Sequence, residues 1–580
     1  SCDLPLLPTV DLLIIGGSAA ACACACAAAA QGRSVLLAAP KGYCGDDIVG
    51  PLDLWPQEAD DRSDPLAQAI WPDTAPTTPL RVKRACDEAL VAAGVDFLFH
   101  CHPAGLLRDV DGRIAGAVLA NRRGRQAVPA AQVVDASRDA LLAEQAGHAC
   151  DPHLDGEREL ALVSLGGGQP DGAKELTALQ DDNNKPVPAW RTNCRIDCGD
   201  GSWVAHAAAY DQALEQVWQI DGWLTAEELQ RPARRLAAAP RIEQWHGIDA
   251  IDAAAWQIEA GLWLCSESLP VALPVAEALN RPGTRIALGR HLGSFIGRQR
   301  PAAQAAVSYH CAGAEPVSQG RLCQNAGGLR PEEPSAATIA APTSTPRLGA
   351  YQIAVIGGGT GGAQHPLLRQ QASLGGVGTE GQIAKYWFGN RVGFTKRVDD
   401  GVAKLEPKVF HGDGRWSLHA KATWWRRSAR AAGVDILYGS CCCGAWVVDG
   451  QVRGVLLAGP MGFGLIESGA VIDATGAADV AAAAGAPVTG ISAAHVAVQG
   501  TGMADRRPDR PYNNSDHDFC DDTDVVDCTR FLVGTRAKVP TALDCGQLVD
   551  SRERRQIVGE VSLGPADFVC DRRFPDTITI

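Results

Sequence analysis

The chain carries one pattern twice. The first copy opens on Val10-Asp-Leu-Leu-Ile-Ile15 and runs into Gly16-Gly17-Ser18-Ala19-Ala20-Ala21. The second opens on Tyr351-Gln-Ile-Ala-Val-Ile356 and runs into Gly357-Gly358-Gly359-Thr360-Gly361-Gly362. The match resumes downstream: "AGVDFLFHC" answers "AGVDILYGS", "DVDGRIAGAVLA" answers "VVDGQVRGVLLA", and "VVDASRDA" answers "VIDATGAADVA". The offset stays at about 340 residues throughout, as expected for a duplicated domain rather than a short solenoid repeat.

Each copy begins as an apolar strand, a turn of small residues and a helix, which for Ala19 to Ala30 is expected to be buried. A second helix follows near Arg81 to Ala93. Asp111-Gly112 and Asp449-Gly450 are turn dipeptides between alternating apolar stretches, so a β-meander is expected in each copy. A strand ending at Asp135 or Asp473 then returns to the sheet. Arg330 to Ala350 has linker composition, rich in Pro, Ala, Ser and Thr. The expected division is therefore a first unit at 1–154, a cap or substrate region at 155–275, a closing segment of the first unit at 276–330, a linker at 331–350 and a second unit at 351–580.

In the second copy Gly357, Gly359 and Gly362 satisfy G-x-G-x-x-G directly after a strand. Such a loop turns tightly, lets a pyrophosphate approach the backbone, and packs the following helix on the sheet. Free N–H groups at the helix start then hold the anion. The first copy reads Gly-x-Ser-x-x-Ala instead. Two neighbours strengthen the second copy. Leu374-Gly-Gly-Val-Gly-Thr-Glu-Gly-Gln-Ile383 is another glycine-rich loop, and Ala474-Thr475-Gly476 with Asp479 follows a strand, where open sheets place ligands. The fold class expected is α/β, with two Rossmann-like FAD/NAD(P)-binding units, each with a β-meander, and a cap.

The order of "VIGGGTGG", "LGGVGTEGQI", a meander and "VIDATGAADVAAAAGAP" resembles the bacterial FAD-dependent oxidoreductases of the glutathione-reductase-like superfamily. "DSRERRQIVGEVSLGPADFVCDRRFPDTI" is similar to a signature of one group among them. The resemblance covers most of 351–580 and, more loosely, 10–150. It implies FAD as cofactor, with Gly357, Gly358, Gly359 and Gly362 on its pyrophosphate. Gly375, Gly376 and Thr379 would lie along pyrophosphate and flavin, with Thr475, Gly476 and Asp479 enclosing the cofactor. It also implies a late strand at "RIALGRHLG", Arg285 to Gly293. The composition suits a soluble globular protein, of the bacterial cytoplasm or exported.

Three departures bear on this. Between Gly362 and Gly375 there is room for a short helix, interrupted by Pro366, but hardly for the second strand and the acid that holds the ribose. Either that copy has degenerated or the sequence is written incompletely there. The second is favoured, because losing a central strand would leave backbone groups unpaired. The chain also stops soon after "FPDT", where the family continues. Finally, the first copy keeps its second strand, Ser34 to Ala39, but ends it without a carboxylate. In that copy Tyr43-Cys-Gly-Asp-Asp47 stands where the second glycine loop belongs, and two carboxylates facing a pyrophosphate would repel it. The second copy is thus the expected flavin site.

Flavin enzymes leave electron transfer to the cofactor and position substrate with side chains. The candidates for that role are Tyr386, Asn390 and Arg391, beside the second glycine loop; core aromatics and an ion-paired arginine are the alternative. His411 and His419 are candidate bases, although a histidine without defined neighbours is more often structural; His291 could reach a flavin held by the first copy. Glu553, Arg554 and Arg555 suit substrate binding or a buried ion-pair network. Asn513-Asn514-Ser515 is a chance sequon. The twenty cysteines reproduce no zinc or iron–sulfur spacing. Small buried thiols are expected, with disulfides or a redox pair as the alternative, and no metal site.

A net charge of −14 argues against a nucleic-acid partner. No apolar stretch is long enough to span a bilayer, and the chain opens at Ser1 without a visible leader, which leaves export open. The function expected is FAD-dependent oxidation or reduction of a small organic substrate, in a homo-oligomer or a larger assembly. The alternative is a degenerate flavoprotein fold with a structural role; a nicotinamide enzyme without flavin is disfavoured by the "ATG" segment.

Overall fold

The computed structural model describes residues 3–299 except 59 and 182, then 306–317, 319–325, 337–340, 343–359, 367–368, 373–386, 391–405, 415–490, 505–506, 520–546, 555–561, 565–570 and 572. Strand β1 (Val10–Ile15) leads through the first turn to helix α1 (Ala19–Ala29), then β2 (Val35–Ala38), α2 (Pro79–Ala92) and β3 (Asp96–Leu98). Leu12 to Ile15 are all buried, as in a parallel strand covered on both faces. A meander of β4 (His102–Arg108), β5 (Ile114–Asn121) and β6 (Gly124–Asp135) follows, and β6 returns parallel to β1.

The chain then leaves the sheet to build the cap. Strands β7 (Glu157–Gly166), β8 (Lys174–Gln180), β9 (Pro186–Asp197) and β10 (Gly222–Thr225) form an antiparallel sheet in the order β10-β7-β9-β8, with helix α3 (Trp203–Val217) packed on it. Along β9 buried and exposed residues alternate, apart from a bulge at Val187/Ala189, so one face is apolar and needs α3.

Strand β11 (Leu262–Leu264) rejoins the first sheet parallel to β6. This return lies ahead of the 276 boundary expected from sequence. The late strand expected at Arg285 to Gly293 is instead part of a helix, α4 (Pro282–Arg298). The physical reason is a four-residue glycine spacing at Gly289, Gly293 and Gly297. At the first two, an added Cβ would lie 2.0 and 2.1 Å from the carbonyl oxygens of Ala20 and Cys24. Helix α4 therefore lies directly on the Ala/Cys helix α1, a contact that larger residues on either side would prevent.

The second sheet repeats the first. With β12 (Ser308–His310), the first sheet runs β12-β4-β5-β6-β1-β2-β3. The second comprises β13 (Arg321–Gln324), β14 (Arg347–Ile356), β15 (Leu367–Leu368), β16 (Ile436–Leu437), β17 (Cys441–Val448), β18 (Gln451–Gly459) and β19 (Gly462–Asp473), and runs β13-β17-β18-β19-β14-β15-β16. Two expectations are corrected here. The segment after Gly362 does supply a second strand: Leu367–Leu368 pairs parallel with both β14 and β16, so two residues fill the central slot. And β14 begins at Arg347, inside the stretch of linker composition.

Helix α5 (Leu418–Ala431) belongs to the second unit, whereas α7 (Val525–Lys538), which follows the short α6 (Asp479–Ala484), packs on α2 and β3 of the first. Lys83 pairs with Asp544 at 2.7 Å and Arg536 with Asp87 at 2.7 Å, all four side chains buried. Nineteen cysteines are described, most of them buried, and no disulfide joins any two of them. Among the described residues no helix is long and apolar enough to cross a membrane, and no group of His, Cys, Asp and Glu is arranged to hold a metal ion.

Candidate functional site

A cavity of about 700 Å³ lies at the carboxyl ends of the first unit's parallel strands. That is where open α/β sheets bind ligands, and the volume falls in the ~300–1,000 Å³ range of small-molecule sites. Gly16, Ser18, Lys41, Ser137 and Glu267 line its sheet side; Arg191, His206 and Glu227 come from the cap side. The second unit closes it with Tyr438, Gly439 and Gly459 to Met461.

The two units build their loops alike. Gly16 (φ +136°) and Gly357 (φ +113°) each press on the chain leaving the returning strand: an added Cβ would meet the carbonyl oxygens of Ala136 and Ala474 at 2.3 and 2.1 Å. Gly45 N–H donates to Gly17 O at 2.6 Å, and Gly375 N–H to Gly358 O at 2.9 Å. Asp135 and Asp473 end their strands by accepting the hydroxyls of Ser137 and Thr475 and N–H groups of the next helix. Burial pushes the Asp135 carboxyl up to about 6, against those hydrogen bonds.

They differ in charge. Where the second unit has Gly376, the first has Asp46, and its carboxylate faces inward: a Cβ on Gly17 would lie 3.0 Å from Asp46 Oδ2. Asp47 Oδ1 accepts the Ala19 N–H at 2.8 Å, capping α1, and Arg285 holds its other oxygen at 3.1 Å. Arg285 also pairs with Glu267 at 3.0 Å. A carboxylate thus sits at the positive end of α1, where an anion is favoured. Burial raises Asp46 to about 7; Lys41 opposes this and Asp47 adds to it. Opposite, Tyr43 donates to Glu227 at 2.7 Å and Lys41 pairs with both Glu227 and Glu228. Arg231 and Asp139 form a further ion pair.

The residues singled out in the second copy have these places. Gly375, Gly376 and Thr379 form one turn, in which the Thr379 hydroxyl donates to Leu374 O at 2.8 Å. Thr475 is engaged with Asp473 and the Asp479 N–H. Asp479 is ion-paired with Arg555 at 2.7 Å and with Arg122 of the first unit at 2.9 Å, a junction between units. Gly476 takes φ +78° after it. Tyr386 packs on Trp416, its ring centre 4.6 Å away, and Arg391 pairs with Asp399 at 2.8 Å. Gly362, Asn390, His411, Asn513 to Ser515, Glu553 and Arg554 lie outside the described residues. His419 stacks on Trp218, and His291 contacts Ile251 O at 3.1 Å.

Sequence reading missed Lys421, a buried amine 3.3 Å from Tyr386 Oη with its charge over Trp416. Burial lowers it to about 7. It also missed His100, His102 and Arg285; for Arg285 the glycine period of its helix was the available signal.

Residues 11–216 match the family described as FAD dependent oxidoreductase. No curated protein matches the chain. Among solved structures, the THI4 protein of Thermovibrio ammonificans is 12% identical with a TM-score of 0.26, over 50% of this chain and 88% of that one. A geranylgeranyl bacteriochlorophyll reductase-like protein of Thermoplasma acidophilum is 12% identical with a TM-score of 0.30, over 50% and 78%. The myxobacterial chondrochloren halogenase is 16% identical with a TM-score of 0.27, over 48% and 72%. The family match over residues 11–216 supports FAD-dependent oxidoreductase activity and leaves the substrate unspecified.

Proposed function

We propose that the first unit holds FAD in its crevice and uses it to oxidise or reduce a small organic substrate admitted beneath the cap. The observation that carries this is the coincidence of the cavity with residues 11–216, the part of the chain that matches the flavoprotein family.

The residues fit the cofactor. The crevice runs from the Gly16–Ser18 turn to the residues after β11, and Gly16 allows that turn to close against the Ala136 backbone at the crevice rim. The Asp47 carboxylate, seated on α1 with Arg285 behind it, stands in for a phosphate. The Ala19 N–H and the Arg285 guanidinium, which now hold Asp47, are the donors that would hold a pyrophosphate. When bound, FAD supplies hydride or electron transfer. The protein's part is to orient the partners and exclude water. The cap and the Tyr438–Gly439 and Gly459–Met461 loops cover the crevice. Arg191 is a cavity-lining cation without an ion pair among the described residues, and it would orient a substrate carboxylate.

The shared strand order of the two sheets supports a duplication in which the second unit walls the first unit's site. A second dinucleotide, were one bound, would lie at its carboxylate-free Gly375-Gly376 loop, with Tyr386 and Arg391 as the candidate side chains toward it; Asn390, the third candidate, lies outside the described residues. The test is to record the absorbance of the purified protein, then denature it and count released flavin. One FAD per chain, lost in Gly16→Ala and kept in Gly357→Ala, is expected. Two per chain would add the second site. A colourless protein that stays colourless after incubation with FAD would overturn the proposal.

A further inference from the structure

The acid that ordinarily binds the ribose of a dinucleotide stands at the end of the second strand, about 20 residues beyond the glycine turn. Here that strand ends Ala38-Ala39-Pro40. A different segment has been brought to the same place. Ala39 N–H donates to Leu98 O, Cys101 N–H to Ala39 O, and His100 N–H to Lys41 O, at 2.8, 3.0 and 3.2 Å. The 98–101 chain is thereby laid along 39–41, and both His100 and His102 line the cavity beside Pro40 and Gly42.

Three observations single these histidines out. Among the described residues, His100 Nδ1 and His102 Nε2 are buried without a hydrogen-bond partner, a costly state for a polar atom unless a ligand completes it. His100 has φ +57°, a left-handed backbone that non-glycine residues seldom adopt and that recurs at functional sites. Its ring also lies against Gly42, where an added Cβ would be 3.0 Å from His100 Cε1. Burial lowers the pKa of His100 to about 3 and that of His102 to about 4, so both are neutral at pH 7.

We propose that His100 and His102 replace the missing carboxylate and bind the adenosine half of the dinucleotide, hydrogen-bonding its ribose hydroxyls or adenine edge through their free ring nitrogens. This rests on the reading that the first unit holds FAD. A neutral imidazole can both donate and accept, whereas a carboxylate only accepts. It also adds no further negative charge to a crevice already lined by acids that include Asp46, Asp47, Glu227 and Glu267.

The experiment compares FAD, FMN and ADP binding by calorimetry in the wild type, His100→Ala, His102→Phe and His102→Gln. FMN lacks the adenosine half and ADP lacks the flavin. The expected result is about a tenfold loss for FAD and ADP in His100→Ala and His102→Phe, unchanged FMN, and partial recovery in His102→Gln. Unfolding midpoints on the same samples identify any variant that fails to fold, and His100→Ala, at a half-buried position, provides the independent arm. Unchanged ADP affinity, or equal losses for FAD and FMN, would overturn the inference. ADP binding that depends on the histidines in a protein taking no FAD would sustain it while overturning the flavin reading. A wild type that binds neither FAD nor ADP would overturn both.

Discussion

Gly16 and Ala136 are in backbone contact: a Cβ on Gly16 would stand 2.3 Å from the Ala136 carbonyl oxygen. The contact joins the turn after β1 to the chain leaving β6, and it sets the rim of the crevice. Gly16→Ala must move one of the two backbones and also adopt a positive φ. We expect a loss of about 2–4 kcal/mol in stability together with loss of bound FAD. Gly357→Ala, facing Ala474, is expected to cost a similar amount and leave that FAD in place. Chemical unfolding with a flavin count checks both; a Gly16→Ala protein that keeps its flavin would sink the assignment of the site to the first unit.

Asp46 makes FAD affinity pH-dependent. Its carboxyl titrates near 7 because it is buried, so below that pH it is neutral and above it an anion faces the pyrophosphate. The dissociation constant for FAD should rise about tenfold between pH 6 and pH 8. In Asp46→Asn, or in Asp46→Gly, which installs the residue found at Gly376, it should stay flat. Folding stability follows the same group. Its folded pKa is raised, so between about 4 and 7 the native state binds more protons than the unfolded state, and stability falls as pH rises. Asp46→Asn removes that slope. Flavin fluorescence titrations and denaturant unfolding at pH 5, 6, 7 and 8 read both effects.

Lys83 and Asp544 lie far apart in sequence and pair with both side chains 2% exposed. Truncating one partner leaves a buried charge. Lys83→Ala should therefore destabilise the protein by about 3–5 kcal/mol and release the 520–546 segment to protease, while the double replacement Lys83→Met with Asp544→Leu should be near neutral. A single variant as stable as the double would refute this account of how the segment docks.

Asp211 ties the cap to the second unit, accepting the Tyr438 hydroxyl at 2.9 Å and Arg430 Nε at 2.6 Å. Tyr438 is also part of the cavity wall. Asp211→Ala should loosen that wall at a cost of about 2–4 kcal/mol. Iodide quenching of the bound flavin should increase relative to wild type. Unaltered quenching would mean that the cap does not control solvent access.

Much of the fold was legible in local pattern. Both glycine turns, both meanders and the Asp135 and Asp473 strand ends rest on periodicity and turn chemistry within short segments, and those signals survive in a bare sequence. The candidate site was less legible. The glycines of the second copy drew attention there, while the family match and the cavity lie on the first. The resemblance implied a strand at "RIALGRHLG"; only the partner helix α1 explains its glycines.

The sequence by itself determined the repeat, the paired dinucleotide-type loops and the alternation of strand and helix, because each depends on neighbours a few residues away. The tertiary structure alone decided that Leu262–Leu264 closes the first sheet, that Asp46 and Asp47 turn inward, that Asp479 joins Arg122 across the chain, and that two histidines stand where an acid was absent. Those outcomes depend on which distant backbones and charges pack together, and residue spacing along the chain carries no record of that choice.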